Sequence, residues 1–139
     1  MDGVNINLWA VLLGGVSSMA IGMLYYSDNA FGKEWKKLAK IDEKRLKTEM
    51  NKYLPWVFAS ALVTALVVAY FAFLYQAYTQ ASWISSALII STVVWLAVSA
   101  TVYAHNAFDQ RPIRLTAISV GNRLLVLLAI GLIIGWLHP

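Results

Sequence analysis

Residues 115–137 read LTAISVGNRLLVLLAIGLIIGWL. At 1.5 Å per residue a helix of this length crosses the roughly 30 Å hydrocarbon core of a bilayer. Only one side chain in it is ionisable, Arg123. Working back along the chain, three more apolar stretches of similar length occupy residues 6–27, 55–78 and 82–104. With 60% hydrophobic and 13% charged residues, the 139-residue chain is far from the composition of a soluble domain. The expected fold is all-α: an integral membrane, antiparallel four-transmembrane-helix bundle forming a single domain over 1–139, with a short cytoplasmic amphipathic helix in the arm 28–54.

The charges sort by topology. Eight of the eleven Lys and Arg fall between Lys33 and Lys52, and five acidic residues accompany them from Asp28 to Glu49. The connection near Arg111 and Arg114 holds more, whereas the connection around Thr79 to Ser82 holds none. Basic residues stay on the cytoplasmic side, so both termini are expected outside a prokaryotic cell membrane, and the net charge of +4 is no sign of nucleic acid. The opening Met1-Asp2-Gly3-Val4-Asn5 lacks the basic region of a signal peptide, so the first stretch reads as a retained helix. There is no cysteine, which removes disulfides and thiolate metal sites.

Within the arm, Leu46, Met50 and Tyr53 share a helical face, with Asp42 placed to cap it. Such a helix either lies on anionic head groups, its lysines from Lys33 to Lys52 toward the lipid, or forms a solvated arm. Pro55 then suits the first turn of the second span, where a missing N–H breaks no bond. Gly14, Ser18 and Gly22 recur every four residues in the first span, and Gly131 and Gly135 do so in the last. Small residues at that spacing let helices approach closely, either within the bundle or across a homodimer. In the second span Ala61, Ala65 and Ala69 form a smooth packing stripe. In the third, Thr92, Trp95, Ser99, Tyr103 and Asn106 form a more polar one, expected to face the bundle.

Polar chemistry gathers at the cytoplasmic end. His105 and Asp109 are spaced i, i+4, an arrangement that can move protons, but no nucleophile or second metal-ligating histidine accompanies them; His138 lies at the other end. Neither a cofactor nor a metal site is indicated, and the reading leans away from an enzyme. In the last span Thr116, Ser119 and Arg123 share a face that continues through Leu127, Gly131 and Gly135. Arg123 lies eight residues beyond Leu115, about 12 Å deep. Three accounts stay open: snorkelling to the interface; an ion pair with Asp109, Asp28 or helix carbonyls; and a contact for an anionic solute or head group, which a guanidinium binds well. Asn122 and Arg111 complete the candidate set.

Several elements resemble one family of small prokaryotic membrane proteins, the domain of unknown function 1761 family. They are Tyr25-Tyr26, then Phe31-Gly32-Lys33-Glu34-Trp35, then Asn106-Ala107-Phe108-Asp109-Gln110-Arg111-Pro112 before the final span. The resemblance implies a four-helix membrane protein and brings no activity with it. It also implies that Trp35, Asp109, Arg111 and Pro112 form one cytoplasmic-side constellation in which Arg111 or Asp109 ties the third loop to the first. Where such proteins often carry Gly and His early in the last helix, this chain has Gly121-Asn122-Arg123. Two functions fit the residues: binding or transport of a small anionic or amphipathic solute at Arg123, or a non-catalytic scaffold that docks lipid or protein through its basic arm.

Overall fold

The computed structural model describes residues 5–137; Met1 to Val4, His138 and Pro139 lie outside them. Among the described residues there are five helices and no strand: α1 (Leu8–Tyr25), α2 (Gly32–Ala39), α3 (Glu43–Thr79), α4 (Trp83–Phe108) and α5 (Ile113–Leu137). All but α2 are long and apolar enough to cross a membrane. Their outer surface carries Leu13, Val16, Val63, Val93, Leu96 and Leu132 in the open. Water solvates such a surface poorly and lipid does so well, and a helix satisfies its own backbone, so these are the features of a membrane protein.

Helix α5 packs along α4 on one side and α1 on the other, and α3 closes the ring between α1 and α4. The start of α1 meets the end of α5. Asn7 caps α1 by accepting from the Trp9 and Ala10 amides, and its own Nδ2 donates to the Leu137 carbonyl at 2.9 Å. The core consists mostly of small and β-branched side chains, among them Ala65, Val68, Ala69, Ala72, Ala87, Ile130 and Ile134. It occupies the half of the bundle away from the charged connections. There α4 and α5 are so close that a Cβ on Gly135 would lie 2.6 Å from the Ile84 Cα, and one on Gly131 would meet the Ser91 hydroxyl. Gly14 is buried against Ala65 and Ile130, and Ser18 donates to the Gly14 carbonyl, whereas Gly22 faces open space.

Two expectations change. The second long helix does not begin at Pro55: α3 is one 37-residue helix, about 55 Å long, with Pro55 inside it. Asp42 caps its start by accepting from the Lys44 and Arg45 amides. Proline removes one i→i−4 bond and crowds the Asn51 carbonyl, a cost of about 3 kcal/mol in a helix interior, but both residues are exposed, so the freed carbonyl is not buried unpaired and the helix continues. The arm therefore holds no separate helix over 42–54; its separate helix is α2, with Leu46, Met50 and Tyr53 riding on the first turns of α3. The polar stripe of α4 is also rotated from expectation. Trp95, Ser99 and Asn106 are half-buried, but Thr92 and Tyr103 are exposed, and Ser86 and Ser91 take the fully buried positions. The contact with α5 runs through Ala87, Ser91 and Trp95, successive turns of one helix face, and Thr92 lies one residue off it.

Candidate functional site

At the end of α1 the chain folds back sharply on itself. The Phe31 amide donates to the Tyr25 carbonyl at 3.0 Å, and the Gly32 amide donates to the Ser27 carbonyl at 2.9 Å. A side chain at Gly32 would collide with the Tyr26 and Ser27 carbonyls, so glycine is required by the approach itself. The turn brings Phe31 onto Tyr25 with ring centroids 4.6 Å apart, and Trp35 onto Tyr26 at 5.0 Å. Each aromatic residue of the Phe-Gly-Lys-Glu-Trp element thus has a defined partner. Tyr26 in turn lies beside the Ser119 and Asn122 side chains of α5 and within the field of Arg123.

An ionic knot holds the segment. Lys36 Nζ is 2.7 Å from Asp28 and 3.1 Å from Glu43, joining the turn, α2 and the first residue of α3. The Lys36 ammonium holds the Asp28 carboxyl below the usual carboxylate range, and Asp28 and Glu43 raise Lys36 above the usual ammonium value. Asp28 therefore pairs with Lys36, not with Arg123.

The α4–α5 connection is built by backbone capping. Gln110 is left-handed (φ 53°), its amide donates to the Ala107 carbonyl, and the Arg111 amide donates to the Asn106 carbonyl at 2.8 Å. This is the Schellman pattern, followed by Pro112, which cannot continue the helix. Asn106 Nδ2 donates to Thr116 Oγ1 at 2.9 Å and fixes α4 to α5. His105 and Asp109 meet at 3.5 Å, with the His105 side chain 77% exposed. Arg111 Nε lies 4.0 Å from the same carboxylate. The tie between the first and third connections is made by neither Arg111 nor Asp109. It runs from Arg114 on α5 to Glu34 on α2, at 2.9 Å. Nothing in the sequence marked these two residues except opposite charge at the same end. An open cleft of about 710 Å³ separates the end of α2 from this turn, lined by Leu38, Lys40, Asp109, Arg111 and Pro112 among others.

Arg123 stands apart from this knot. It lies on the α5 stripe that includes Thr116, Leu127 and Ile134, all buried, yet it is itself exposed and makes no ion pair among the described residues. The neighbouring elements explain this. All the fully buried residues of α3 lie from Ala65 onward, and toward the charged end its inward residues Leu54, Phe58 and Leu62 are only half covered. Gly22, on the facing part of α1, meets nothing within 4 Å. The bundle opens at this end. On the adjacent residue of α5, Asn122 Oδ1 is buried with no hydrogen-bond partner. Such an atom is costly to leave unpaired, at about 1–3 kcal/mol.

The candidate residues thus fall into two groups: His105, Asp109 and Arg111 on an exposed rim, and Arg123 with Asn122 at the mouth of the opening, next to Tyr26. Among the described residues no three histidine or carboxylate groups converge to hold a metal ion. Searches of curated proteins and of solved structures find no match. The model of one family, described as a protein of unknown function (DUF1761), matches residues 9–135, and the chain belongs to that family.

Proposed function

We propose that this protein is an antiparallel four-helix bundle of the cell membrane, its charged end in the cytoplasm and its termini outside, that binds or moves a small anionic or amphipathic solute at Arg123. One observation carries the reading: an arginine on an inward stripe of α5, exposed because the bundle is open there, and without an ion-pair partner. An arginine at membrane depth costs about 2.5–3.5 kcal/mol on insertion scales, so a position without a carboxylate partner calls for another compensation. An anion in the opening supplies it. The planar guanidinium suits carboxylate or phosphate, and the unpartnered Asn122 Oδ1 offers an acceptor to a hydroxyl of the solute.

The test uses protein in lipid nanodiscs with two probes, inorganic phosphate and dodecyl phosphate, which separate a small-anion site from one for amphiphiles. Arg123→Ala is expected to weaken binding of the accepted probe about tenfold or more, the worth of one charged hydrogen bond, with thermal stability retained. Arg123→Lys keeps part of the affinity. Unchanged binding in Arg123→Ala refutes the site and favours the alternative, a non-catalytic subunit docking lipid or protein through Lys33 to Lys52.

A further inference from the structure

Helix α2 is fastened at its start, by Trp35 on Tyr26 and by Glu34 to Arg114. Its end is not. Among the described residues no ion pair crosses from Leu38, Ala39 or Lys40 to the α4–α5 turn, and the cleft of about 710 Å³ lies between them. Three charged side chains line it: Lys40, Asp109 and Arg111. Lys40 makes no ion pair among the described residues. Arg111 has one, its Nε 4.0 Å from Asp109 Oδ2, and the other neighbour of that carboxylate is His105 at 3.5 Å. Both contacts are at the outer reach of an ion pair, and water weakens pairs as open as these, so all three charges are free to take a closer partner. The backbone marks the same place. Lys40 and Gln110, on opposite walls, are left-handed at φ 54° and 53°. Each ends a helix where glycine is the ordinary residue, yet the chain keeps a polar side chain lining the cleft at both.

Two cations beside one carboxylate suit neither a plain anion, which Asp109 repels, nor a plain cation. We infer that the cleft binds the phosphoethanolamine head group of a membrane phospholipid, its phosphodiester on Lys40 and Arg111 and its ammonium on Asp109. A guanidinium fork matches phosphate, and a carboxylate accepts from an ammonium N–H. A two-carbon bridge joins phosphate to ammonium, short enough for one head group to meet a guanidinium and a carboxylate that stand 4.0 Å apart. The surroundings favour a lipid over a soluble molecule. The cleft stands where the apolar helices α4 and α5 reach their charged ends, and Leu38, Ala39 and Pro112 give its walls apolar surface. Phe108 and Ile113, on either side of the turn, are 89% and 65% exposed, an apolar surface that the edge of a bilayer covers and water does not. Arg123 takes no part in this site, and neither reading depends on the other.

The test offers the full-length protein in detergent three phospholipids of identical acyl chains, with ethanolamine, glycerol or choline head groups, and counts bound lipid by native mass spectrometry. Phosphoglycerol has no ammonium, and phosphocholine has no N–H to donate to Asp109. The ethanolamine lipid is therefore expected to bind about tenfold more tightly than either, the worth of one charge-assisted hydrogen bond. Asp109→Asn is expected to remove its preference over the glycerol lipid, and Lys40→Gly to weaken binding of both. Glycine suits a φ of 54°, so Lys40→Gly is expected to melt at the wild-type temperature or above, which separates a lost ligand from a lost fold. Lys44→Gln, at an exposed lysine that does not line the cleft, is expected to bind as the wild type does. Equal binding of the glycerol lipid to the wild type, or an equal loss in Lys44→Gln, overturns the inference in favour of diffuse attraction to a basic surface. Displacement of the lipid by an equal concentration of soluble glycerophosphoethanolamine overturns it too, since the ligand is then a free solute.

Discussion

A single missing Cβ decides how the charged end is assembled. At Gly32 the backbone passes so close to the turn after α1 that an alanine Cβ would lie 2.6 Å from the Ser27 carbonyl oxygen and nearer still to that of Tyr26. Backbone atoms cannot swing away as a flexible side chain does, so the turn itself must open. Opening it pulls Phe31 from Tyr25 and Trp35 from Tyr26, the contacts that seat the turn on the end of α1. Gly32→Ala is therefore expected to destabilise the protein by about 1–3 kcal/mol, the usual cost of forcing atoms into a packed site. Thermal unfolding in detergent, followed by tryptophan fluorescence, measures it. A melting temperature equal to that of the wild type would mean that the turn is looser than its geometry shows. Arg123 makes the complementary point at the same scale. Periodicity puts it on the stripe of Thr116 and Leu127, a face expected to lie against other helices, but its exposure depends on how far α3 and α1 leave that stripe uncovered, and no pattern within α5 encodes that.

Among the elements, the long apolar helices were legible because hydropathy alone marks a span, and Asp42 was legible as a cap because few residues offer a carboxylate at a helix start. The continuity of α3 was not. A proline after Leu54 reads as a helix start, and only the exposure of Asn51 and Pro55 shows why the lost bond is tolerated. Helix α2 was also hidden, since eight residues are too few to form a stable helix alone and this one is held largely by tertiary contacts: the aromatic pair with Tyr26 and the ion pairs of Lys36 and Glu34. Those ion pairs give the element a pH dependence whose sign follows from the shifts. Asp28 titrates below its unfolded value near 3.9, so its contribution is present above about pH 4 and is lost as pH falls through the lowered folded value. Lys36 titrates above its unfolded value near 10.4, so its contribution is full below that pH and is lost as pH rises through the raised folded value. Hydrogen exchange of residues 26–43 is expected to be slowest and flat between about pH 4 and 10 once corrected for the intrinsic rate, and to quicken outside that window. Asp28→Asn should remove the acid limb while leaving exchange in the α4–α5 contact unchanged.

At the scale of the molecule the dominant fact is asymmetry. The first connection, with α2, meets the base of α5 through Arg114 and Glu34, so both basic connections lie at one end. The other end holds the α3–α4 turn, where Gln80 is left-handed and Ser82 caps α4, and the Asn7–Leu137 contact. No Lys or Arg lies in that turn. Turning the protein over in the membrane would carry every lysine, with Arg45, Arg111 and Arg114, across the hydrocarbon core, where each charge costs on the order of 2.5–3.5 kcal/mol at the centre. Single cysteines in the cysteine-free chain should report it. Ser82→Cys is expected to react with a membrane-impermeant maleimide in intact cells, and Lys37→Cys only after the membrane is permeabilised. The reverse pattern would put Arg123, Asn122 and the opening beside Gly22 on the outer side, and the solute proposed for that opening would then be captured from outside the cell.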